Sequence, residues 1–288
     1  MNRSFKNFYW LKSIKHSYIP LIIVIIVIIR WTIVIQNFPS SSSCQQINIY
    51  GQTNQKRCYP LLVNFGHECC AKAQSDNCET GLAFGIKHCV KLNMDIFDSD
   101  KNFIRRNRDI LDRSRGAGYW IWKPYIIWHE LYVAREGDII VYSDAAVNFT
   151  AHINNLLPLM KKQDILIFHQ ESAYTKRDTF ILLNADDPTY VDSMASVASY
   201  VFVRKSTQSF SFISEWLTYA QDRRALTDDL NELGMNNYGN FIDHRHDQSI
   251  LGLLATKWKL RRYTDPSQFG ENCSRAFPTI FWHHRLKE

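Results

Sequence analysis

The stretch RSRGAGYWIWKPYIIWHELYVAREGDIIVYSDAAVN, residues Arg113 to Asn148, decides the fold. Its middle has helical spacing: Pro124 suits a first turn, Ile127, Leu131 and Ala134 recur on one face, and Gly137 fits the left-handed residue that ends a helix. Asp138-Ile139-Ile140-Val141-Tyr142 is then almost wholly apolar, the pattern of a strand buried on both faces, and it stops at Ser143-Asp144-Ala145. An acidic side chain therefore stands at the carboxyl end of a central strand, the edge where open α/β sheets bind ligands. Asp144 is placed there to hold a hard metal ion and, through it, a diphosphate. The plainer reading is that Asp144 caps the next turn.

Outward from this stretch, strand and helix patterns alternate. Pro60 to Gly66 is a strand and its turn, Ala71 to Phe84 a helix, His88 to Leu92 a strand and Phe103 to Leu111 a basic helix. Beyond Asn148 come a helix over Ile153 to Met160, a strand over Asp164 to Phe168, an apolar helix ending at Leu183 and a strand over Ser199 to Arg204. Helices over Phe210 to Tyr219 and Ser249 to Trp258 complete the series. Alternation with short links predicts a mostly parallel sheet flanked by helices. The chain has 288 residues, enough for one catalytic-size domain plus a tail. A net charge of +6 without a long Lys/Arg block argues against a nucleic-acid groove.

Arg3, Lys6, Lys12 and Lys15 precede an apolar run from Tyr18 to Ile35, and a neutral Ser-rich segment follows. That pattern predicts a type II signal anchor with the N-terminus in the cytosol, interrupted by Pro20 and by Arg30; a cleaved signal peptide is the rival. The expected division is 1–17 cytosolic tail, 18–35 transmembrane helix, 36–58 stem and 59–288 catalytic domain. All seven cysteines follow the apolar run, six of them between Cys44 and Cys89, which fits disulfides in an oxidising compartment. Asn148-Phe149-Thr150 and Asn272-Cys273-Ser274 are glycosylation sequons, the first close to Asp144.

Several motifs stand at element boundaries: Gly118-Tyr119-Trp120-Ile121-Trp122-Lys123-Pro124, the strand ending at Asp144, His246-Asp247-Gln248 before a helix, and the terminal His283-His284. As a set, over roughly residues 60 to 288, they resemble nucleotide-diphospho-sugar transferases of the GT-A fold. The resemblance implies an α/β, GT-A-like (Rossmann-type) domain. It implies a metal-dependent glycosyltransferase that moves a hexose-type sugar from a nucleoside-diphosphate donor such as a UDP-hexose to a glycan or glycoconjugate in the Golgi or ER. In such enzymes a DXD motif, often with a C-terminal His, holds Mn2+ or Mg2+. Tyr142-Ser143-Asp144 keeps only one of the two carboxylates, so Asp144, His283 and His284 are the expected ligands.

By the same resemblance Lys123 and Arg115 would meet the diphosphate, and Trp120 and Trp122 would stack on base or sugar unless they are core. His246 would sit in the donor site, and Asp247 and Gln248 beside the donor sugar as the catalytic pair, although Asp247 also suits a helix N-cap. Lys176, Arg177 and Asp178, with Asp228 and Asp229, are candidates for the acceptor side; a solvated charged face explains them as well. Two other functions fit the residues. One is a zinc hydrolase using Asp144, His244, His246, His283 and His284, and the other is an inactive lumenal sugar-binding or scaffold protein.

Overall fold

The computed structural model describes residues 44–47, 55–67, 70–170, 174–270 and 277–284. A six-stranded sheet runs in the order β4 (His88–Leu92), β3 (Leu61–Phe65), β5 (Ile139–Ser143), β8 (Ala195–Arg204), β7 (Ile165–Gln170), β9 (Arg262–Tyr263). All are parallel except β8, which pairs antiparallel with both β5 and β7. The mostly parallel sheet is as expected, with one reversed strand inside it. Two antiparallel pairs stand apart: β1 (Cys44–Ile47) with β2 (Gln55–Cys58), and β6 (Val147–Phe149) with β10 (Phe281–His283).

Strand alternation divides the core in two. Leu61, Val63, Ile140, Tyr142, Ile165, Ile167, Val201 and Val203 face one side, where helices α2 (Trp122–Val133), α3 (Thr207–Ala220) and α4 (Asp247–Lys257) cover them. Leu62, Val141, Leu166, Phe168, Tyr200 and Phe202 face the other, packed with Ile86, Phe149, Ile153 and Phe281. Helix α1 (Ala71–Ala83) packs against β3, β4 and β6. Both faces being buried is why these strands show no polar alternation.

Gly137 is left-handed, as its sequence position predicts (φ +87°), and its N–H donates to Lys205 O at 2.9 Å. Two expected helices break up. Phe103 to Leu111 splits into Lys101–Arg106 and Arg108–Leu111, because Asn107 leaves the helical region and its Nδ2 donates to Phe103 O at 2.8 Å. Ile153 to Met160 becomes two short 3-10 turns, Ile153–Asn155 and Leu157–Lys161, since Pro158 removes a backbone donor. Disulfides join Cys44 to Cys58 and Cys78 to Cys89. No helix among the described residues is long and apolar enough to cross a membrane, and the run Tyr18–Ile35 lies outside them, as does the Asn272 sequon.

Candidate functional site

The chain passes from β3 out to β4 and returns to β5 on the other side of β3, so the sheet's switch point lies between the tips of β3 and β5. At that tip Tyr142 and Asp144, two residues apart, share a face, and the Tyr142 hydroxyl donates to the Asp144 carboxylate. Ser143 turns the opposite way, accepting from Asn77 Nδ2 at 3.0 Å. The turn is held by Asp144 N–H donating to Ser199 O at 2.7 Å.

Helix α2 opens at this tip and carries Lys123 in its first turn; α4 opens beside it with Asp247. Lys123 Nζ lies 3.0 Å from Asp247 Oδ2 and 3.4 Å from Asp144 Oδ1. The Lys123 and Asp247 side chains are 4% and 5% exposed, Asp144 30%, so only Asp144 reaches solvent substantially. Burial pushes the Asp247 carboxyl up to about 6; Lys123 pulls it down and Asp144 pushes it further up. Burial works against the Lys123 charge, yet the two carboxylates prevail and hold its pKa above the ordinary value. Burial and the neighbouring Asp144 charge raise Tyr142 well above a free phenol, so it remains a donor.

An open cleft of about 610 Å³ adjoins this cluster at the carboxyl ends of β7 and β9, lined among others by His169, Gln170, Ser199, Arg245, Gln248, Asp265 and His283. Arg245 is thus the arginine on the cleft wall, its guanidinium over the Tyr174 ring at 4.7 Å. The Asp265 carboxylate is saturated by the Tyr200 hydroxyl and by Ser267 N–H and Oγ, both at 2.9 Å, which fixes that wall. A second cleft of about 330 Å³ lies at the ends of β3 and β4, lined by Gly66, His67, Gln74, Asn93 and Asp95 among others.

Of the sequence candidates, Lys123, Asp144 and Asp247 are brought together, and Gln248 and His283 line the adjoining cleft. Asp247 is the first residue of α4 and its carboxylate faces Lys123, so it is not the helix N-cap. His283 and His284 do not form a tail: His283 pairs with Val147 and His284 N–H donates to Ala146 O at 3.2 Å, beside the Asp144 turn. Trp122 is core, stacked on Phe65 at 4.0 Å between ring centroids, and Trp120 stacks on His246. Arg115 is paired with Asp228 and not with the cleft. Asn148 sits in β6, half-buried, with its Oδ1 turned inward.

The acceptor-side trio turns out to brace the loop between Thr227 and His246. Lys176 Nζ donates to Asp229 O at 2.9 Å, Arg177 N–H donates to Asn237 Oδ1 at 2.8 Å while its guanidinium pairs with Asp186, and the buried Asp178 carboxylate accepts Glu232 N–H at 2.6 Å and Leu233 N–H at 3.2 Å. The zinc arrangement fails at His244. Its Nε2 faces Ala225 O at 3.0 Å and its Nδ1 accepts Lys176 N–H at 3.3 Å, so neither nitrogen remains for a metal.

Nor do the residues fit a protein-held divalent ion. Among the described residues no three His, Cys, Asp or Glu side chains come together as a metal-binding group, Tyr142 stands where a second carboxylate would be, and the cation beside Asp144 is Lys123. Sequence reasoning missed Tyr142, Arg245 and the Tyr200–Asp265 wall. The two-residue strand period points to Tyr142, and the crowding of His244, Arg245 and His246 marks their turn without telling which side chain faces the cleft; Asp265 lies in an irregular segment whose sequence carries no such signal.

No family model matches the chain, and no curated protein does. Among solved structures, the apo form of mouse xyloside xylosyltransferase 1 is similar over 78% of this chain and 97% of its own, at 9% identity and a TM-score of 0.46. The apo bifunctional glycosyltransferase WbbM is similar over 70% of this chain and 41% of its own, at 10% identity and a TM-score of 0.39. Galactosyltransferase LgtC, in complex with donor and acceptor sugar analogues, is similar over 78% of this chain and 87% of its own, at 12% identity and a TM-score of 0.38. At these scores the likenesses carry no argument about activity.

Proposed function

We propose that the protein is a glycosyltransferase that uses a nucleoside-diphosphate sugar. The observation that carries this reading is the Asp144–Lys123–Asp247 cluster at the sheet's switch point, between two polar clefts. A donor of this class is extended, with a base at one end and a sugar at the other, and a crevice at the carboxyl ends of parallel strands suits it. Asp144, the exposed member, meets the donor at its sugar–diphosphate end. Asp247 and Lys123 are buried behind it and fix its orientation. Gln248 supplies hydrogen bonds to sugar hydroxyls from the cleft wall. Arg245 takes the counter-charge role that the sequence suggested for Arg115, because a guanidinium in the cleft stabilises the leaving diphosphate as negative charge develops on it.

A hexose donor, a glycan or glycoconjugate acceptor and a manganese or magnesium requirement belong to this proposal. So do a type II anchor at Tyr18–Ile35 and a Golgi or ER lumenal setting, which the basic residues before that run and the disulfides support. Because no three His, Cys, Asp or Glu side chains come together as a metal-binding group among the described residues, manganese should bind the free protein weakly, and any affinity should depend on added nucleotide diphosphate. A thermal-shift panel of UDP- and GDP-sugars, with and without manganese, followed by assay of released nucleotide, tests the reading. One nucleotide sugar should stabilise the fold and be turned over, and Asp144→Asn should abolish turnover while leaving the melting profile intact. Stabilisation without turnover would make the protein a sugar-nucleotide binder; no stabilisation by any member would remove the proposal.

A further inference from the structure

Two unusual backbone segments meet beside the ion-pair cluster. Gly116, Ala117, Gly118, Tyr119 and Trp120 all have positive φ, at 59°, 49°, 87°, 52° and 60°, making a full left-handed turn in a region that L residues visit singly rather than in runs. His246 stands at φ 56° and ψ −123°, a combination that a β-carbon disfavours. The segments touch each other. The His246 ring lies 5.0 Å from Tyr119 and 5.3 Å from Trp120, nearly parallel to the latter, with an interplanar angle of 22°. His246 is buried, its Nδ1 held to Leu226 O at 2.9 Å while its Nε2 has no hydrogen-bond partner among the described residues. The left-handed turn is pinned from the same side, where the Arg115 guanidinium and the Tyr119 hydroxyl converge on Asp228.

Each segment is also the approach to one half of the ion pair. Lys123 N–H donates to Trp120 O at 2.9 Å, and Asp247 follows His246 directly. Backbone strain of this kind persists only where packing over-determines it. We propose that His246 is a positioning residue, its imidazole wedged against the left-handed turn so that α2 and α4 open at the separation where Lys123 reaches Asp247 and Asp144. Its bearing on turnover rests on the sugar-transfer reading; the geometric claim does not.

The test compares wild type, His246→Phe and His246→Ala, each alone and with Lys123→Met, in the whole chain. With whichever nucleotide sugar the panel identifies, His246→Ala should lower kcat roughly tenfold or more at nearly unchanged KM, and His246→Phe, which keeps the ring, should recover most of it. In the Lys123→Met background His246→Ala should have little further effect on kcat, and urea unfolding of the four proteins in the alanine cycle should show the same non-additivity. Additive effects, or His246→Phe as impaired as His246→Ala, would overturn the proposal. If no nucleotide sugar is turned over, the sugar-transfer reading fails and the unfolding cycle alone decides the positioning role. Should Lys123→Met not fold, Asp247→Asn takes its place in the cycle.

Discussion

A lysine buried at 4% exposure keeps its charge only because two carboxylates lie within 3.4 Å. Removing it strands Asp247 without a counter-ion, and Lys123→Met should lower the unfolding free energy by roughly 3–5 kcal/mol, read from urea titrations. The pH dependence of Asp247 has a definite sign. Its folded pKa is raised from 3.8 to about 6, so the folded state holds the proton more tightly and this residue's contribution to stability falls as pH rises through that window. Relative to Asp247→Asn, wild type should therefore lose up to about 3 kcal/mol of unfolding free energy between pH 4 and pH 7. A flat difference between the two proteins over that range would show that Asp247 is not a buried carboxylate. Asp144 and Asp247 were legible because each stands at an element boundary with little packing reason to be acidic. The pairing that sets their charge was not legible, since Lys123 comes from a third segment and its place in the sequence points to the diphosphate, not to a buried ion pair.

Among the elements, helix α4 depends on its approach to β8. A β-carbon at Gly252 would lie 3.3 Å from Ser196 N, so Gly252→Val must push α4 off the sheet, and Asp247 at its start moves with it. The expected loss is roughly 1–3 kcal/mol of stability together with loss of turnover, measured by unfolding and by nucleotide release. Gly118 makes the parallel case for the left-handed turn. Its φ is +87°, and a β-carbon there would stand 3.1 Å from Leu111 Cα, so Gly118→Ala should destabilise by about 1 kcal/mol or more, detectable as a lower melting temperature. Periodicity exposed α2, α3 and every major strand because apolar spacing alone specifies them. It could not show the left-handed run at Gly116–Trp120, which its two glycines permit and its packing against His246 and Asp228 imposes.

Across the whole molecule, the Cys78–Cys89 disulfide ties α1 to β4, and Asn77 of the same helix reaches Ser143 and Val147 O, the latter at 2.6 Å. Reduction should therefore loosen the β5 tip as well as lower stability by roughly 2–4 kcal/mol, followed by unfolding with and without reductant. The sequence by itself determined the alternating α/β order, the strands buried on both faces, the acidic tip at Asp144 and the acidic start of α4, because each is a local pattern of side-chain type against backbone period. Only the tertiary structure decided which charges face the cleft. It committed Arg115, Lys176, Arg177, Asp178 and His244 to internal partners, left Arg245 on the cleft wall, and made Lys123 the cation at Asp144. Ion pairs and hydrogen bonds between distant segments depend on how helices dock on the sheet, and that docking is fixed by packing rather than by any one stretch of chain.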